Sequence, residues 1–99
     1  MTATAEYSVY LVRCRDGSLY TGIAKDVRRR MTEHEQGTKG AKYLRGRGPL
    51  ELVFQARIGD RSLATRIENR IKQLPRVEKQ ALVLKPEILD ALLCDLTGQ

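Results

Sequence analysis

Two short runs of aromatic and β-branched residues stand on either side of a turn signal near the beginning of the chain. Residues 7–14 and 18–23 are too short for a helix and carry residue types that favour strands. Arg15-Asp16-Gly17 between them predicts a turn, so the two runs should pair as an antiparallel hairpin. Any fold for this chain must therefore be built around that hairpin.

The length of the turn decides which side chains share a face of the hairpin. A three-residue loop with Gly17 in the left-handed conformation places Val12 opposite Tyr20. Tyr10 then lies opposite Gly22, and the two tyrosines share one face. A two-residue turn shifts the register by one position and places the tyrosines on opposite faces. The sequence leaves both registers open.

A first helix is predicted after the hairpin, over residues 26–36, and its first residue is an aspartate that suits the N-cap. Val27 and Met31 are four residues apart and should face the core. Arg30 and His34 have the same spacing and form a neighbouring ridge along the edge of that face. The helix therefore stacks two polar side chains beside the sheet.

The rest of the pattern predicts one more strand and further helices. Residues 50–56 favour a third strand, and Asp60 then caps an amphipathic helix that ends at Pro75. Another helix is predicted over about residues 76–83, and a last one begins with Pro86 at its first position and runs through residue 96. The fold class is α+β: a small three-stranded antiparallel sheet flanked by helices, with the core order β-β-α-β-α-α.

The chain has 99 residues, which is enough for one domain of ordinary size. We expect a single domain over residues 1–99, with a core over residues 7–82 and a C-terminal helical extension over residues 83–99. An adaptor role for this extension is the weaker interpretation, because its apolar residues recur at helical spacing and should cover the core. These residues are Ile88, Leu89, Leu92 and Leu93.

Positive charge is concentrated in one part of the chain. From Arg13 to Arg47 there are ten basic and four acidic residues, so this segment carries the whole net charge of +6. Residues 37–48 combine glycines and cations with one tyrosine, which suits phosphate contacts and base stacking. The sequence therefore predicts a nucleic-acid-binding segment that contains Lys39, Lys42, Tyr43, Arg45 and Arg47.

Several classes of protein are disfavoured by the sequence. No stretch approaches the roughly 18 apolar residues of a membrane span, and the first residues lack the pattern of a signal peptide. Cys14 and Cys94 have no metal-binding spacing around them, so we expect two reduced, packed thiols. We expect a soluble cytoplasmic protein with no membrane partner and no small-molecule cofactor.

An ordered set of residues resembles the GIY-YIG nuclease family. Val9-Tyr10-Leu11 is followed by Leu19-Tyr20-Thr21-Gly22, then by Arg30 and His34 on the first helix, and then by Glu68 on a later helix. The resemblance spans roughly residues 7–82 and is similar to the small stand-alone bacterial members of that family. The ordered combination carries the resemblance, since Tyr20-Thr21-Gly22 alone would be a weak signal.

The resemblance implies cleavage of phosphodiester bonds with a divalent metal ion, Mg²⁺ or Mn²⁺. Glu68 is the implied metal ligand, and one carboxylate suffices because magnesium keeps several waters and takes further oxygens from the substrate. Arg30 is implied to contact the phosphate, and His34 is implied to transfer a proton or orient water. Tyr10 is the implied base for the attacking water, with Tyr20 as its partner.

Two positions depart from the family pattern. Ile23 lies three residues after Tyr20, where relatives such as the excision-repair incision subunit often have a lysine. Gln80 lies twelve residues after Glu68, where that subunit has an asparagine. The first departure removes a cation that would lower a tyrosine pKa. Lys25 is a candidate to replace it.

Two functions of different classes fit these observations. The first is a nuclease that cleaves nucleic acid, DNA being favoured over RNA, with a role in DNA repair or processing. The alternative is a nucleic-acid-binding module that keeps the nuclease fold with weak or no catalysis, and Ile23 motivates it. Metal-dependent cleavage that requires Glu68 separates the two.

Overall fold

The computed structural model describes residues 6–36 and 49–98 of the chain. Within these ranges, three strands form an antiparallel sheet in the order β2-β1-β3: β1 (Tyr7–Arg13), β2 (Leu19–Ala24) and β3 (Glu51–Gly59). Four helices accompany the sheet: α1 (Val27–Gln36), α2 (Arg61–Lys72), α3 (Arg76–Leu84) and α4 (Ile88–Thr97). The predicted α+β class is confirmed, with α4 following the predicted core order.

The hairpin has the register that places both tyrosines on one face. Val12 lies opposite Tyr20, and Tyr10 lies opposite Gly22. Gly17 has a φ of 88°, the left-handed conformation that the three-residue loop requires. Residues directly opposite each other in an antiparallel pair project to the same face, so this register brings the two phenols together.

The sheet separates two apolar cores. Because side chains alternate along a strand, β1 presents Val9 and Leu11 to one face and Tyr10 and Val12 to the other. α1 covers the face of Tyr10. The opposite face is covered by α2, α3 and α4, whose buried residues in the larger core are Ile67, Ile71, Leu82, Leu89 and Leu92.

Two predicted helix caps are present. The backbone N–H of Arg29 donates to Asp26 Oδ1 at 3.1 Å, and that of Leu63 donates to Asp60 Oδ1 at 2.9 Å. Each aspartate thus satisfies a donor that has no partner within its own helix. These caps fix where α1 and α2 begin, and so where their polar residues lie relative to the sheet.

The last helix begins at Ile88, two residues later than predicted. The N–H groups of Ile88 and Leu89 each donate at 3.0 Å to a carbonyl three residues back, on Lys85 and Pro86 respectively. Pro86 therefore lies in a tight turn before α4 and not at its first position, because those bonds have the shorter spacing of a 3₁₀ turn.

The prediction of two free, packed thiols is confirmed for Cys14 and wrong about the packing of Cys94. Both Cys14 and Cys94 are free, and Cys14 is buried as predicted. Cys94 is exposed, since the buried side of α4 is formed by Leu89 and Leu92. No helix in the described ranges has the length and apolar character needed to cross a membrane.

The predicted nucleic-acid-binding segment lies outside the described residues. This applies to each of its five candidate residues, Lys39, Lys42, Tyr43, Arg45 and Arg47. The five predicted catalytic residues all lie within the described ranges, and the candidate site is built from them.

Candidate active site

Tyr10 lies near the middle of the central strand, and its side chain is only 1% exposed. Its cross-strand neighbour is Gly22, where an added Cβ would lie 2.6 Å from Tyr10 Oη and 2.7 Å from Tyr10 Cζ. The phenol therefore crosses directly over the backbone of β2, and glycine is the residue that leaves it room. The sequence motif contains Gly22, but this steric role depends on a contact that only the folded hairpin creates.

Four polar side chains form a network between β1 and α1, which we call the inner network: Tyr10, Arg30, Glu33 and His34. Tyr10 Oη lies 2.9 Å from Nε2 of His34, whose side chain is buried at 4% exposure. Arg30 hydrogen-bonds Tyr10, and Arg30 Nη1 donates to Glu33 Oε1 at 2.9 Å. Arg30 thus connects a buried phenol to a carboxylate nearer the surface.

Burial controls the charge state of the inner network. It raises the pKa of Tyr10 to about 12, with the nearby Tyr20 adding to the increase and Arg30 opposing it. Burial and the charge of Arg30 lower the pKa of His34. Both rings are therefore neutral at neutral pH. We assign the phenol hydrogen to the bond with His34 Nε2, because Arg30 already donates to the phenol oxygen.

Glu33 is a member of the site that the sequence interpretation missed. Its carboxylate accepts from Arg30 and also lies 3.5 Å from Arg29 Nε, so it pairs with two consecutive arginines. The Arg30–Glu33 spacing of three residues places both side chains on adjoining turns of a helix. That spacing was the available signal in the sequence. Glu33 restricts the orientation of the guanidinium that contacts Tyr10.

Tyr20 occupies a different environment from Tyr10. It lies on β2, an edge strand, and is only partly buried. Its ring meets His34 edge-on, with the ring centroids 5.9 Å apart and an interplanar angle of 77°. Burial raises the pKa of Tyr20, Glu68 adds to the increase, and Lys72 and Arg30 oppose it. Charges from α1 and α2 therefore converge on this phenol.

Glu68 and Lys72 form an ion pair on α2, with Lys72 Nζ 3.4 Å from Glu68 Oε2. The Glu68 side chain is 16% exposed and that of Lys72 is 50% exposed. The negative charge of Glu68 raises the pKa of both Tyr10 and Tyr20. Tyr20, Glu68 and Lys72 are called the outer cluster. The structure thus brings all five predicted catalytic residues together, two helices and two strands contributing to one site.

The two departures from the family pattern have structural outcomes. Ile23 packs against the larger apolar core, and Gln80 is exposed on α3. Lys25 Nζ, the candidate replacement cation, lies 5.6 Å from the centre of the Tyr7 ring. The two cations that lower the pKa of Tyr20 are Lys72 and Arg30. Lys25 is therefore not among the cations that lower the pKa of Tyr20.

The donor set at the site fits a hydrated, oxygen-preferring divalent ion. The parts of the chain that the structure describes contain no group of three or more histidine, cysteine, aspartate or glutamate residues that could hold a metal. Glu68 offers one partly buried carboxylate beside two phenols, which suits an ion that keeps water ligands, as Mg²⁺ does. A structural zinc site would need three or four protein ligands and does not fit.

Sequence comparison finds similar proteins over most of the chain. The family profile described as GIY-YIG catalytic domain matches residues 6–80. The UPF0213 protein YhbQ of Salmonella typhimurium is 56% identical over 88 residues, covering 89% of this chain and 87% of that protein. A UPF0213 protein of Citrobacter koseri is 52% identical over the same coverage.

Comparison with solved structures also finds similar proteins over most of the chain. The chain is similar to the solution NMR structure of a UPF0213 protein from Bacillus halodurans, with a TM-score of 0.53 and 47% identity over 81% of this chain and 85% of that one. It is also similar to the solution NMR structure of a protein from E. faecalis, with a TM-score of 0.59 and 33% identity over 89% of this chain and 93% of that one.

Proposed function

The chain belongs to the GIY-YIG family, and from this premise we propose that it is a nuclease that hydrolyses phosphodiester bonds in nucleic acid with the help of Mg²⁺ or Mn²⁺. The observation that carries the proposal is the convergence of the inner network and the outer cluster. A buried tyrosine bonded to a histidine lies beside a second tyrosine, an arginine and a carboxylate whose charge acts on both phenols. A purely structural role for these groups would not require them to meet.

Glu68 is the proposed metal ligand, since its carboxylate lies at the site and is partly shielded from water. When bound, Mg²⁺ or Mn²⁺ supplies polarisation of the phosphoryl group and compensates negative charge on the leaving oxygen. Arg30 is the proposed contact to the phosphate. Its side chain is 34% exposed, and its bond to Glu33 holds the guanidinium in a fixed orientation.

The surroundings of the two tyrosines favour Tyr20 as the phenol that contacts the attacking water. This reverses the assignment that the sequence suggested. Tyr10 is fully buried, and its pKa is raised to about 12, so its hydroxyl is badly placed to take a proton from solvent water. Tyr20 is partly exposed; burial raises its pKa as well, but Lys72 and Arg30 both oppose the increase. We propose that Tyr20, after losing its own proton to solvent, orients the attacking water and accepts a proton from it as a phenolate, while Tyr10 and His34 hold Arg30 and the Tyr20 ring in position.

The substrate contacts are proposed on sequence grounds. Lys39, Lys42, Tyr43, Arg45 and Arg47 are candidates to bind the nucleic-acid backbone and stack on a base. DNA is the favoured substrate, and a role in DNA repair or processing in the cytoplasm is part of the proposal. Cleavage of DNA and of RNA under the same conditions tests the choice between them.

The first experiment compares cleavage of a supercoiled plasmid, a branched duplex and a single-stranded oligonucleotide, each with Mg²⁺ or Mn²⁺. We expect Glu68→Gln to reduce metal-dependent cleavage at least about 100-fold, because it removes the charge that holds the ion. Binding of the oligonucleotide should be retained. Glu78→Gln, an exposed glutamate in the first turn of α3, removes the same charge and serves as the matched control.

Two outcomes would contradict the proposal. Equal cleavage by the wild type and Glu68→Gln would show that this carboxylate does not hold the metal. If no variant yields product with any substrate, while the folded protein binds nucleic acid in a salt-sensitive way, the binding module is the better description. The Glu68–Lys72 ion pair is the observation that favours this second function, because it stabilises Glu68 without a metal.

A further inference from the structure

Lys72 is the one member of the outer cluster for which the sequence interpretation gave no functional role. It lies at the end of α2, one turn after Glu68, and its ammonium is 3.4 Å from the carboxylate oxygen Oε2. Half of the Lys72 side chain is exposed, whereas Glu68 is 16% exposed. The lysine is therefore the more exposed partner of the pair and shields the proposed metal ligand on its solvent side.

The charge of Lys72 also reaches the phenol of Tyr20, where it is the strongest of the charges that lower the pKa. Its ammonium thus lies near the carboxylate and the proposed water-contacting phenol at once. The other cation of the site, Arg30, is held by Glu33 and Tyr10 within the inner network. Within the described ranges, Lys72 is attached to the site by its ion pair with Glu68, and it has a flexible four-carbon stem.

We propose that Lys72 is a phosphate-binding residue: its ammonium rests on Glu68 and moves to the substrate phosphodiester when a divalent ion takes the carboxylate. This inference rests on the proposed function, since it assumes that Glu68 binds the metal. A phosphodiester is negatively charged, and its oxygens accept hydrogen bonds from an ammonium. The lysine would then supply from α2 the cation that Ile23 does not supply from β2.

The proposal has two consequences that a simple surface ion pair would not have. Lys72 and a divalent ion compete for one carboxylate, so removing the ammonium should strengthen metal binding. When Glu68 is substituted or bound to a metal ion, its ion pair with Lys72 is broken and Lys72 is available to the phosphate. Under those conditions, removing Lys72 should weaken the binding of nucleic acid. One substitution therefore acts in opposite directions on the two ligands.

The nucleic-acid arm of the test avoids both metal and cleavage. Affinity for a single-stranded oligonucleotide is measured against salt concentration in Glu68→Gln and in the double variant Glu68→Gln/Lys72→Met. Loss of one phosphate contact should reduce the slope of log K against log salt by about 0.7. The control is Glu68→Gln/Lys85→Met, which loses the same charge at an exposed lysine after α3. Equal slopes for the two double variants would overturn the phosphate contact.

The metal arm uses Mn²⁺ alone, without nucleic acid. Broadening of amide NMR signals around Glu68 gives the affinity of the wild type, Lys72→Met and Lys72→Arg. We expect Lys72→Met to bind Mn²⁺ several-fold more tightly and Lys72→Arg to stay near the wild type, because exposed ion pairs are weak but measurable. Unchanged or weaker binding by Lys72→Met would overturn the competition. Unchanged amide shifts away from α2 show that each variant is folded.

This inference and the proposed function can fail separately. If the wild type cleaves with metal and Glu68→Gln does not, but Lys72→Met behaves like Lys85→Met in all assays, only the inference is wrong. If no protein cleaves nucleic acid but the slope still depends on Lys72, the phosphate contact stands and the hydrolytic function is wrong.

Discussion

The inner network and the outer cluster each contain one tyrosine on the same face of the hairpin, but they differ in burial and in charge. Tyr10 in the inner network is 1% exposed and bonded to a buried histidine. Tyr20 in the outer cluster is partly exposed on an edge strand beside an ion pair. Two tyrosines on neighbouring strands of one sheet face are therefore suited to different roles.

This difference separates positioning from reaction. Groups in the inner network are neutral or paired and tightly packed, which favours fixed geometry. Groups in the outer cluster keep contact with solvent, which favours exchange of water, metal and substrate. The contrast predicts that substitutions in the inner network, apart from the proposed phosphate contact Arg30, act mainly on stability and those in the outer cluster mainly on cleavage.

The largest expected effect is on cleavage by the two tyrosine variants. Tyr20→Phe should reduce cleavage at least about 100-fold with little loss of stability, because a partly exposed hydroxyl that handles water is removed. Tyr10→Phe should reduce cleavage less but lower the free energy of unfolding by about 1–3 kcal/mol, since it leaves His34 buried without this bond. Cleavage rates and urea unfolding of both variants test the contrast.

The reverse pattern would refute this division of roles. If Tyr10→Phe abolishes cleavage at unchanged stability while Tyr20→Phe cleaves like the wild type, Tyr10 is the phenol that handles the water. Similar losses of cleavage in both variants would mean that the two phenols act as one unit.

The next largest effect is a loss of stability on substitution of Gly22, which lies on β2 opposite Tyr10 and two residues after Tyr20. Gly22→Ala places a Cβ 2.6 Å from Tyr10 Oη, so either the ring or the strand must move. We expect a loss of about 1–3 kcal/mol of unfolding free energy, the usual cost of overpacking a buried site. Thermal unfolding measures it, and the chemical shift of His34 should change at the same time because the ring bonded to it is displaced.

The neighbouring residue on β2 provides the control for Gly22→Ala. Thr21 Oγ1 is buried without a hydrogen-bond partner in the described structure, so Thr21→Val removes a hydroxyl and adds little volume. Its stability should be unchanged or increased. A Gly22→Ala protein that is as stable as Thr21→Val would show that Tyr10 can be displaced at no cost.

The smallest expected effect is a pH dependence of the protein's stability, which arises from His34 in the inner network. His34 is the only histidine of the chain, and its pKa in the folded protein is lowered from 6.5 by burial and by Arg30. The unfolded chain therefore binds a proton more readily than the folded one. The stability from the neutral ring is fully present above pH 6.5 and is lost as the pH falls from 6.5 through the lower pKa of the folded state.

Urea unfolding at several pH values between about 5.5 and 7.5, around the ordinary histidine pKa, measures how the free energy of unfolding changes with pH. His34→Gln should be less stable at neutral pH, but its stability should be flat over the same range. A wild type whose stability does not fall towards the acidic end would contradict the buried, neutral state of His34.

The elements of the fold could be predicted from the sequence because they depend on local patterns, whereas the site residues came from the family resemblance and their roles stay predictions. Alternating apolar residues, aspartate caps and a turn glycine act over a few positions, and they correctly indicated the sheet, α1 and α2. The choice between the two hairpin registers required the structure, since both turns suit Asp16-Gly17. Pro86 misled the prediction for α4 because a proline also fits the turn before a helix.

Other features of the site depend on contacts between distant parts of the chain. The steric demand on Gly22 arises from a ring on the other strand, and the approach of Lys72 to Tyr20 depends on how α2 packs against β2. In the sequence, Lys72 stands four residues after Glu68, which is the spacing of an ordinary helix ion pair. The sequence did not reveal that the pair borders two phenols.

The order of elements along the chain also determines when the site becomes complete during synthesis on the ribosome. The inner network closes between residues 24 positions apart, all within β1 and α1. Glu68 and Lys72 arrive only with α2, after the whole of β3 has been made. A nascent chain that ends before Arg61 contains both phenols, Arg30 and His34 but no Glu68. Under the proposed function, such an unfinished chain lacks the carboxylate that would hold the metal, and it could not cleave nucleic acid until α2 is made.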